Sequence, residues 1–557
     1  MKKIYILSLL CISVSLSKAQ WTANTSANTI VANKDASDIQ TANTNDGRTW
    51  IAFYSQNGSN YDMRAQLLDA DGNRLFGDDG LLVSDKKSGS ATYVFNACVD
   101  KDNNLIIAFQ IQNGSAYECV AQKVNTNGQL LWGSGVDLGA GLSPYPAALS
   151  TNEIAVAWND NNGKIDYQKI RSAGAMAWAS PKIFSGSGTH SITRAQLLAN
   201  TNGNFSMVYQ DQFSFPFYTN LFEQQFDNDG NAAWANAVKI STLTTVSYRY
   251  YDVHIEDDVT YVGYYGNPSG SNRFDAYVQR INADGSLPWG SNGSYFANYS
   301  GNNDPSEQTI FIAKKPGADD VWAVCTVTNS LQTESGVYVQ KYDAASGNNY
   351  FGATAKEVLP ISSKLISLVF CQLSLCDDNP VFLATSNNNK LVAIKLNSTG
   401  DFAWKNNLRL VGGTKFSKFR YGFTNFYKGQ AVAVWQEDKG TGNMPYAENI
   451  RCSGIVGPST PDIENNNVQP AATALLIKSI YPNPVQNILT ATISSASQTN
   501  VHIYITDVSG NVLKQFQQNI NAGNNAVQFN VSDLNAGSYF IKIMNGSLSG
   551  AAVFSKQ

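Results

Sequence analysis

Charge and histidine are what this chain has least of. Only 15% of its 557 residues are charged, against ~25% in an average soluble protein. The net charge of −4 leaves no basic footprint for nucleic acid. There are three histidines, His190, His254 and His502, far apart in sequence. A histidine-based triad or a multi-histidine metal site is therefore poorly supported. No Gly-rich phosphate loop sits between a strand and a helix, and no GxSxG elbow or CxxC pair occurs. Past the first residues, no apolar run reaches the ~18 residues a membrane helix needs, so no transmembrane segment is expected in the mature chain.

The first residues read as a secretory signal over 1–19. Lys2 and Lys3 precede the apolar run Ile4–Leu16, and Ser17-Lys18-Ala19 puts small residues at the positions that favour cleavage before Gln20. Cys11 raises lipoprotein processing as an alternative, but Leu10 before it is too bulky for a lipobox. Six cysteines would remain: Cys98, Cys119, Cys325, Cys371, Cys376 and Cys452. Export permits disulfides. Most of these cysteines sit in apolar strand-like runs, so small buried hydrophobes are expected, with Cys371–Cys376 the best candidate pair.

What the chain has in plenty is Gly, Asn, Ser, Thr and aromatics: 27 Tyr, 26 Phe and 10 Trp. Turn formers and aromatics with few helix formers point to an all-β protein. Within this background one kernel recurs, a Gly with an aromatic four residues later. Gly72 leads to Phe76, Gly128 to Trp132, Gly174 to Trp178, Gly230 to Trp234, Gly285 to Trp289, Gly347 to Phe351 and Gly400 to Trp404. The steps run from 46 to 62 residues, a period that marks a propeller or solenoid.

Each kernel follows the same layout. An apolar strand such as Leu105–Phe109 is expected to be buried on both faces. A polar turn leads to an alternating strand such as Met63–Leu68, expected to be more exposed. The kernel then turns: Gly supplies positive φ, Asp or Asn steadies the turn, and the aromatic is expected to begin an outer strand. One such unit cannot bury its own faces, so the units must stack. The last copy, near Gly454, has Pro458 where the aromatic belongs, whereas Trp21 stands at the mature N-terminus with no hairpin before it. Trp21 makes the aromatic count eight, matching eight apolar strands near 50, 105, 154, 205, 259, 321, 381 and 431. The reading is a ring of eight blades over 20–455, closed by the N-terminal strand, with seven blades as the alternative.

Gly457-Pro458-Ser459-Thr460-Pro461 and the polar stretch after it read as a linker over 456–474. Alternating strands then fill 475–557, the pattern of a small Ig-like β-sandwich. Its features are Tyr481-Pro482-Asn483-Pro484 with Leu489, Asp507 with Gly510, Leu534 with Gly537-Ser538-Tyr539, and a terminal strand ending at Lys556. In that order, at the extreme C-terminus, they resemble the type A C-terminal sorting domain of the type IX secretion system. The resemblance covers about 475–557 and nothing upstream. It implies a Gram-negative protein exported in two steps, with the secretion machinery as partner of the C-terminal domain, and cargo released or attached to the cell surface.

Three partial chemical signals remain. Thr44-Asn45-Asp46-Gly47-Arg48-Thr49-Trp50 is close to the Asp-box turn of sialidase-type propellers, but it lacks one residue and does not recur, so a plain turn is the better reading. Asp69-Ala70-Asp71-Gly72, with Asp78 and Asp79 beyond, has a spacing that suits Ca²⁺. Other copies carry Asn or Ala there, so a turn role explains the set better and no cofactor is expected. Tyr-rich runs, Ser247–Tyr251 and Tyr261–Tyr265, suit either a binding face or blade cores. No catalytic residue is assigned. The expected function is a non-catalytic binding or adhesion propeller for an extracellular glycan or protein, secreted or displayed on the surface. The alternative is a secreted glycan-active hydrolase or lyase using carboxylates and Tyr at the axis.

Overall fold

A computed structural model describes residues 21–89, 95–186, 190–213, 218–243, 251–267, 273–299, 305–363, 367–386, 388–458, 476–495, 498–507, 511–545 and 548–557. The expected signal peptide lies outside the described residues, as does most of the linker. The chain divides into two units, Met1–Ser459 and Thr460–Gln557. Among the described residues the structure is strand and turn, with one short 3₁₀ turn at Thr201–Gly203. No helix there is long and apolar enough to cross a membrane.

The first unit contains eight successive antiparallel sheets. The first is Ala36–Asn43, Thr49–Asn57, Asn60–Leu68 and Leu81–Leu82; the next six repeat this meander of inner, second, third and outer strands up to Leu408–Gly412. The eighth has only three strands of its own, Lys418–Phe423, Gln430–Asp438 and Asn443–Arg451. Its outer strand is Thr29–Ile30, paired with Ala447 and Tyr446. Inner strands pack against inner strands of neighbouring sheets, and that of the first sheet meets that of the eighth. Eight hydrophobic cores fill the spaces between adjacent sheets, the closing one built from Trp21, Ile39, Ile51, Phe53, Val432 and Val434 among others. The unit is a closed β-propeller; each sheet keeps an outer edge, and several of these edges are only two residues long, as in Leu81–Leu82, Val238–Lys239 and Ser294–Tyr295.

The kernel joins neighbouring sheets. Gly72, Gly128, Gly174, Gly230, Gly285, Gly347 and Gly400 all have φ between +74° and +92°. Each lies under the aromatic of the preceding sheet: Phe76 on Gly128, Trp132 on Gly174, Trp178 on Gly230, Trp234 on Gly285, Trp289 on Gly347 and Phe351 on Gly400. Trp404 covers Gly454, and Trp21 covers Gly72, completing the circle. A β-carbon at any of these glycines would lie 2.5–3.4 Å from the covering ring. The indole N–H groups extend the pattern. Trp21 donates to the Ala70 carbonyl at 2.9 Å, Trp132 to Ser172 at 3.1 Å, Trp234 to Ala283 at 3.0 Å, Trp289 to Ala345 at 3.3 Å and Trp404 to Cys452 at 3.0 Å.

Two expectations are corrected here. The kernel aromatics do not begin outer strands. Trp132, for example, precedes the outer strand Val136–Ala140, and its ring is spent on the next sheet's turn. Nor are the alternating third strands exposed, for their polar positions are buried. Gln66, Gln122, Gln168, Gln224, Gln279 and Gln340 are each at most 3% exposed. Each accepts from the backbone N–H of the next residue. Each donates to a carbonyl at or just after its kernel aromatic, at 2.8–3.1 Å. A buried amide is tolerated because both of its ends are paired.

The candidate pairing of Cys371 with Cys376 is also overturned. Cys376 is bonded to Cys452, not to Cys371, with α-carbons 5.9 Å apart, and it ties the seventh sheet to the eighth. The contact needs two residues 76 apart in sequence, which no local spacing reveals. Cys119 and Cys325 are buried free thiols, and Cys98 and Cys371 are half-buried.

The second unit holds two antiparallel sheets. One orders Leu476–Tyr481, Ile488–Ser495 and Gly523–Asn530; the other orders Val512–Ile520, Thr499–Thr506, Gly537–Asn545 and Leu548–Lys556. Both contribute to one core that includes Leu489, Ile493, Phe529, Ile503, Ile541 and Phe554.

Candidate functional site

An antiparallel meander puts alternate connections at opposite ends. At one end of the first unit lie the first-to-second and third-to-outer turns, which include every kernel. At the other end lie the second-to-third hairpins and the outer-to-inner crossings. These vary widely, the crossings from a single residue, Gly141, to the thirteen of 83–95. Binding residues collect on variable loops held by a rigid scaffold, so this end is the place to look.

The inner strands bear out that choice. Five of them break register close to this end: between Ala36 and Ile39, Leu142 and Tyr145, Thr193 and Gln196, Gln308 and Ile310, and Phe419 and Gly422. The breaks lie level with Tyr54, Trp158, Tyr209, Cys325 and Trp435 on the second strands. In the seventh sheet the inner strand splits into Ser367–Leu368 and Ser374–Cys376, and both pieces pair with Asn379–Thr385. Four bulge residues that are not glycine have positive φ: Ser143 at 53°, Arg194 at 54°, Thr309 at 59° and Arg420 at 53°. Each costs about 1–3 kcal/mol. Bulges re-aim side chains, and strain of this kind concentrates at functional sites.

Around the ring, the inner strands and the crossings that enter them carry cationic and aromatic groups at this end. Arg194 and Arg420 are exposed. Arg420 Nε lies 3.7 Å from Asp38 Oδ1. Burial raises the Asp38 carboxyl above its ordinary value, and Arg420 partly offsets this. Phe370, Phe416 and Phe419 are exposed on the seventh and eighth sheets. At the start of the fifth sheet's inner strand, burial pushes the Asp252 carboxyl up to about 7, although it accepts from the N–H of Ile312 at 2.8 Å and from that of Val253. Burial raises Tyr145, on the third sheet, and Cys371, between the two inner-strand pieces of the seventh, and Asp252 adds to both shifts. Burial lowers the imidazole of His254.

The residues read from sequence fall elsewhere. The seven kernel glycines and their aromatics are the joints described above. Asp69 accepts from the N–H groups of Asp71 and Asn73 at 2.9 and 2.8 Å, while Asp78 pairs with Arg74 and Asp79 with Lys34. Asp46 accepts from Arg48 and Thr44, whose bonds hold it down to about 2. That stretch is a locked turn. Tyr251, Tyr261 and Tyr264 are buried core, while Ser247–Tyr250 lie outside the described residues. His502 is an exposed strand residue. Sequence reasoning passed over Arg194 and Arg420, because nothing local marks a bulge. The buried Gln set was legible, since Gln stands six residues before the kernel Gly in five copies.

In the second unit the motif residues tie the chain end down. Tyr481 is exposed, and Pro482 and Pro484 flank Asn483 in the turn after it. Asn483 Oδ1 accepts from the N–H of Ser555 at 2.9 Å, and Val485 bridges to Lys556. Asp507 accepts from the N–H and side-chain amide of Asn511, both at 2.9 Å, while Gly510 lies outside the described residues. Gly537 pairs with Lys556, and Tyr539 stacks on Phe554 and donates to the Asn535 carbonyl at 2.8 Å.

Residues 479–553 match the family described as the secretion system C-terminal sorting domain. The chain is an exported protein. The sorting domain places it in the type IX pathway, secreted from or attached to the outer surface of a Gram-negative bacterium. The resemblance seen in the sequence thus holds for this part of the chain. No curated protein matches the chain. Among solved structures, a polysaccharide lyase described as a PL25 ulvan lyase aligns with a TM-score of 0.41 and 10% identity, over 71% of this chain and 96% of its own. The GH93 α-L-arabinofuranosidase of Fusarium graminearum with arabinobiose aligns at 0.35 and 10% identity, over 56% and 92%. The β-propeller domain of the trilobed protease from Pyrococcus furiosus aligns at 0.35 and 9%, over 78% and 99%. These scores carry nothing about what this chain binds or does.

Proposed function

We propose that the first unit is an eight-bladed propeller that recognises an extracellular polymer at the loop-rich mouth of its axis, and that the second is a β-sandwich serving export. The observation that supports this reading is that the register breaks put the exposed Arg194 and Arg420 at one end of the ring, the end that also carries exposed Phe370, Phe416 and Phe419. Guanidinium groups keep their charge and bind carboxylate or sulfate bidentately. Aromatic faces take sugar rings. An acidic glycan fits this combination better than a neutral one. Binding without turnover is the preferred mode.

The test is retention of the full mature chain on immobilised acidic and neutral polysaccharides, with Arg194→Ala/Arg420→Ala as comparison. Retention on acidic polymers, lost in the double variant, is expected. Equal retention of both proteins would sink the proposal. Asp252, raised to about 7, favours a second reading in which the same mouth serves a hydrolase or lyase, since a carboxyl near neutrality suits general acid work. New reducing ends or unsaturated products, abolished by Asp252→Asn, would select it. For the sorting domain, removal of 475–557 is expected to stop delivery to the cell surface, and normal delivery of the truncated protein would refute that role.

A further inference from the structure

The geometry points to a second binding site, for a single uronic-acid residue, at the seam where the eighth sheet meets the first. It lies at the kernel end, opposite the axial mouth, and does not rest on the reading of that mouth. A cavity of about 190 Å³ opens there between the turn after Ala36–Asn43 and the turn before Gln430–Asp438. Ligand sites for drug-sized molecules run to about 300–1,000 Å³, so this one suits a single sugar ring rather than a chain.

Its walls combine three chemistries. Tyr427 supplies an aromatic wall, its ring packed on Gly47, where a β-carbon would come within 2.9 Å of it. Asn43 and Asn425 stand at the rim, Asn43 Nδ2 donating to the Asn425 carbonyl at 2.9 Å and Asn425 Oδ1 accepting from Gln372 at 2.9 Å, so that Asn43 Oδ1 and Asn425 Nδ2 remain for hydroxyls. Lys428 supplies charge. Its ammonium is 5.3 Å from the centre of the Tyr427 ring, and among the described residues no carboxylate pairs with it. Arg48, by contrast, is committed to Asp46. An aromatic platform, amides for hydroxyls and one uncommitted cation fit a pyranose that carries a carboxylate.

The seam explains why the cavity exists here. At the junction of the first and second sheets, Asn103 fills the equivalent space. It accepts the N–H of Asn45 at 2.6 Å on its side chain and the Trp50 indole at 3.1 Å on its carbonyl. At the closing seam Val432 stands at the position of Trp50, pairing with Asn449 one register step from Glu448 as Trp50 pairs with Leu67 beside Gln66, and it lines the cavity instead of filling it. A ligand here would bridge the two ends of the ring.

The test titrates D-galacturonate and D-galactose, which share a ring and differ in charge, into the full mature chain by calorimetry or ligand-observed NMR. Saturable binding of galacturonate is expected, with galactose at least ~10-fold weaker. Lys428→Met should weaken galacturonate by a similar factor and leave galactose unchanged. Tyr427→Ala should weaken both, and Arg194→Ala neither. Lys428 is exposed, so its replacement leaves folding intact. Absence of saturable galacturonate binding, equal affinity for the two sugars, an unaltered Lys428→Met variant, or loss with Arg194→Ala would each overturn the site.

Discussion

Ring closure contains a carboxyl where other sheets use an amide, and this makes closure sensitive to pH. Glu448 stands six residues before Gly454, at the place of Gln66, Gln122, Gln168, Gln224 and Gln279 in their copies. Like them it is fully buried and accepts the N–H of the next residue, here Asn449 at 3.2 Å. It also accepts from Asn28 at 3.2 Å, beside the closing strand Thr29–Ile30. Burial pushes its carboxyl up to about 8, against bonds from Asn28, Asn449 and Thr22 that pull it back. The folded state therefore holds a proton that the unfolded chain releases near its ordinary value of 4.5. Stability is full below about pH 4.5 and falls as pH rises to about 8, where it levels off. A shift from 4.5 to about 8 corresponds to roughly 4–5 kcal/mol at 1.36 kcal/mol per unit.

Glu448→Gln should remove this loss. The new amide also offers a donor to Asn28 Oδ1, which is buried without a partner. Asp252 and Glu223, both raised to about 7, add losses of the same sign, so the informative quantity is the difference between variant and wild type. Urea or thermal unfolding of the full chain between pH 5 and 9 measures it. The variant should match the wild type near pH 5 and exceed it increasingly towards pH 9, by up to roughly 4 kcal/mol. A difference independent of pH, or a variant less stable at pH 9, would refute the assignment of a proton to Glu448.

Three further outcomes follow from the packing. Trp21→Ala should cost about 3–5 kcal/mol and raise hydrogen exchange in Asn443–Arg451 above that of other third strands, because Trp21 covers Gly72 and closes the ring; uniform exchange would count against it. Cys452→Ser should lower stability by about 2–4 kcal/mol and add Cys376 as a fifth free thiol to Cys98, Cys119, Cys325 and Cys371, countable by alkylation in denaturant and mass measurement. Gln168→Leu should cost about 1–3 kcal/mol, since it strands the Trp178 carbonyl and the Lys169 N–H that Gln168 serves; an unchanged unfolding midpoint would contradict that role.

The repeat and its manner of closure were legible because they rest on local necessity. A tight turn needs a residue that accepts positive φ, and a large ring must be buried near it, so Gly with an aromatic four residues later recurs whatever else varies. Trp21 without a hairpin and Pro458 without an aromatic were complementary gaps in that pattern, and the pairing of Thr29–Ile30 with the eighth sheet fills them. The sorting motifs were legible for the same reason, as an ordered set of turn and strand residues within eighty positions of the end.

What the ring does with its axis was not written locally. Arg194, Ser143, Thr309 and Arg420 have nothing in common in their flanking sequence. They share a level only because five inner strands break register at the same height around one axis. The Cys376–Cys452 bond, the cavity beside Lys428 and the raised carboxyl of Glu448 have the same origin, in seams between sheets distant in sequence. Turn chemistry acts over a few residues and is visible in the chain. Burial, bulge height and cross-seam contact depend on which sheets become neighbours, and the closed tertiary structure alone decides that.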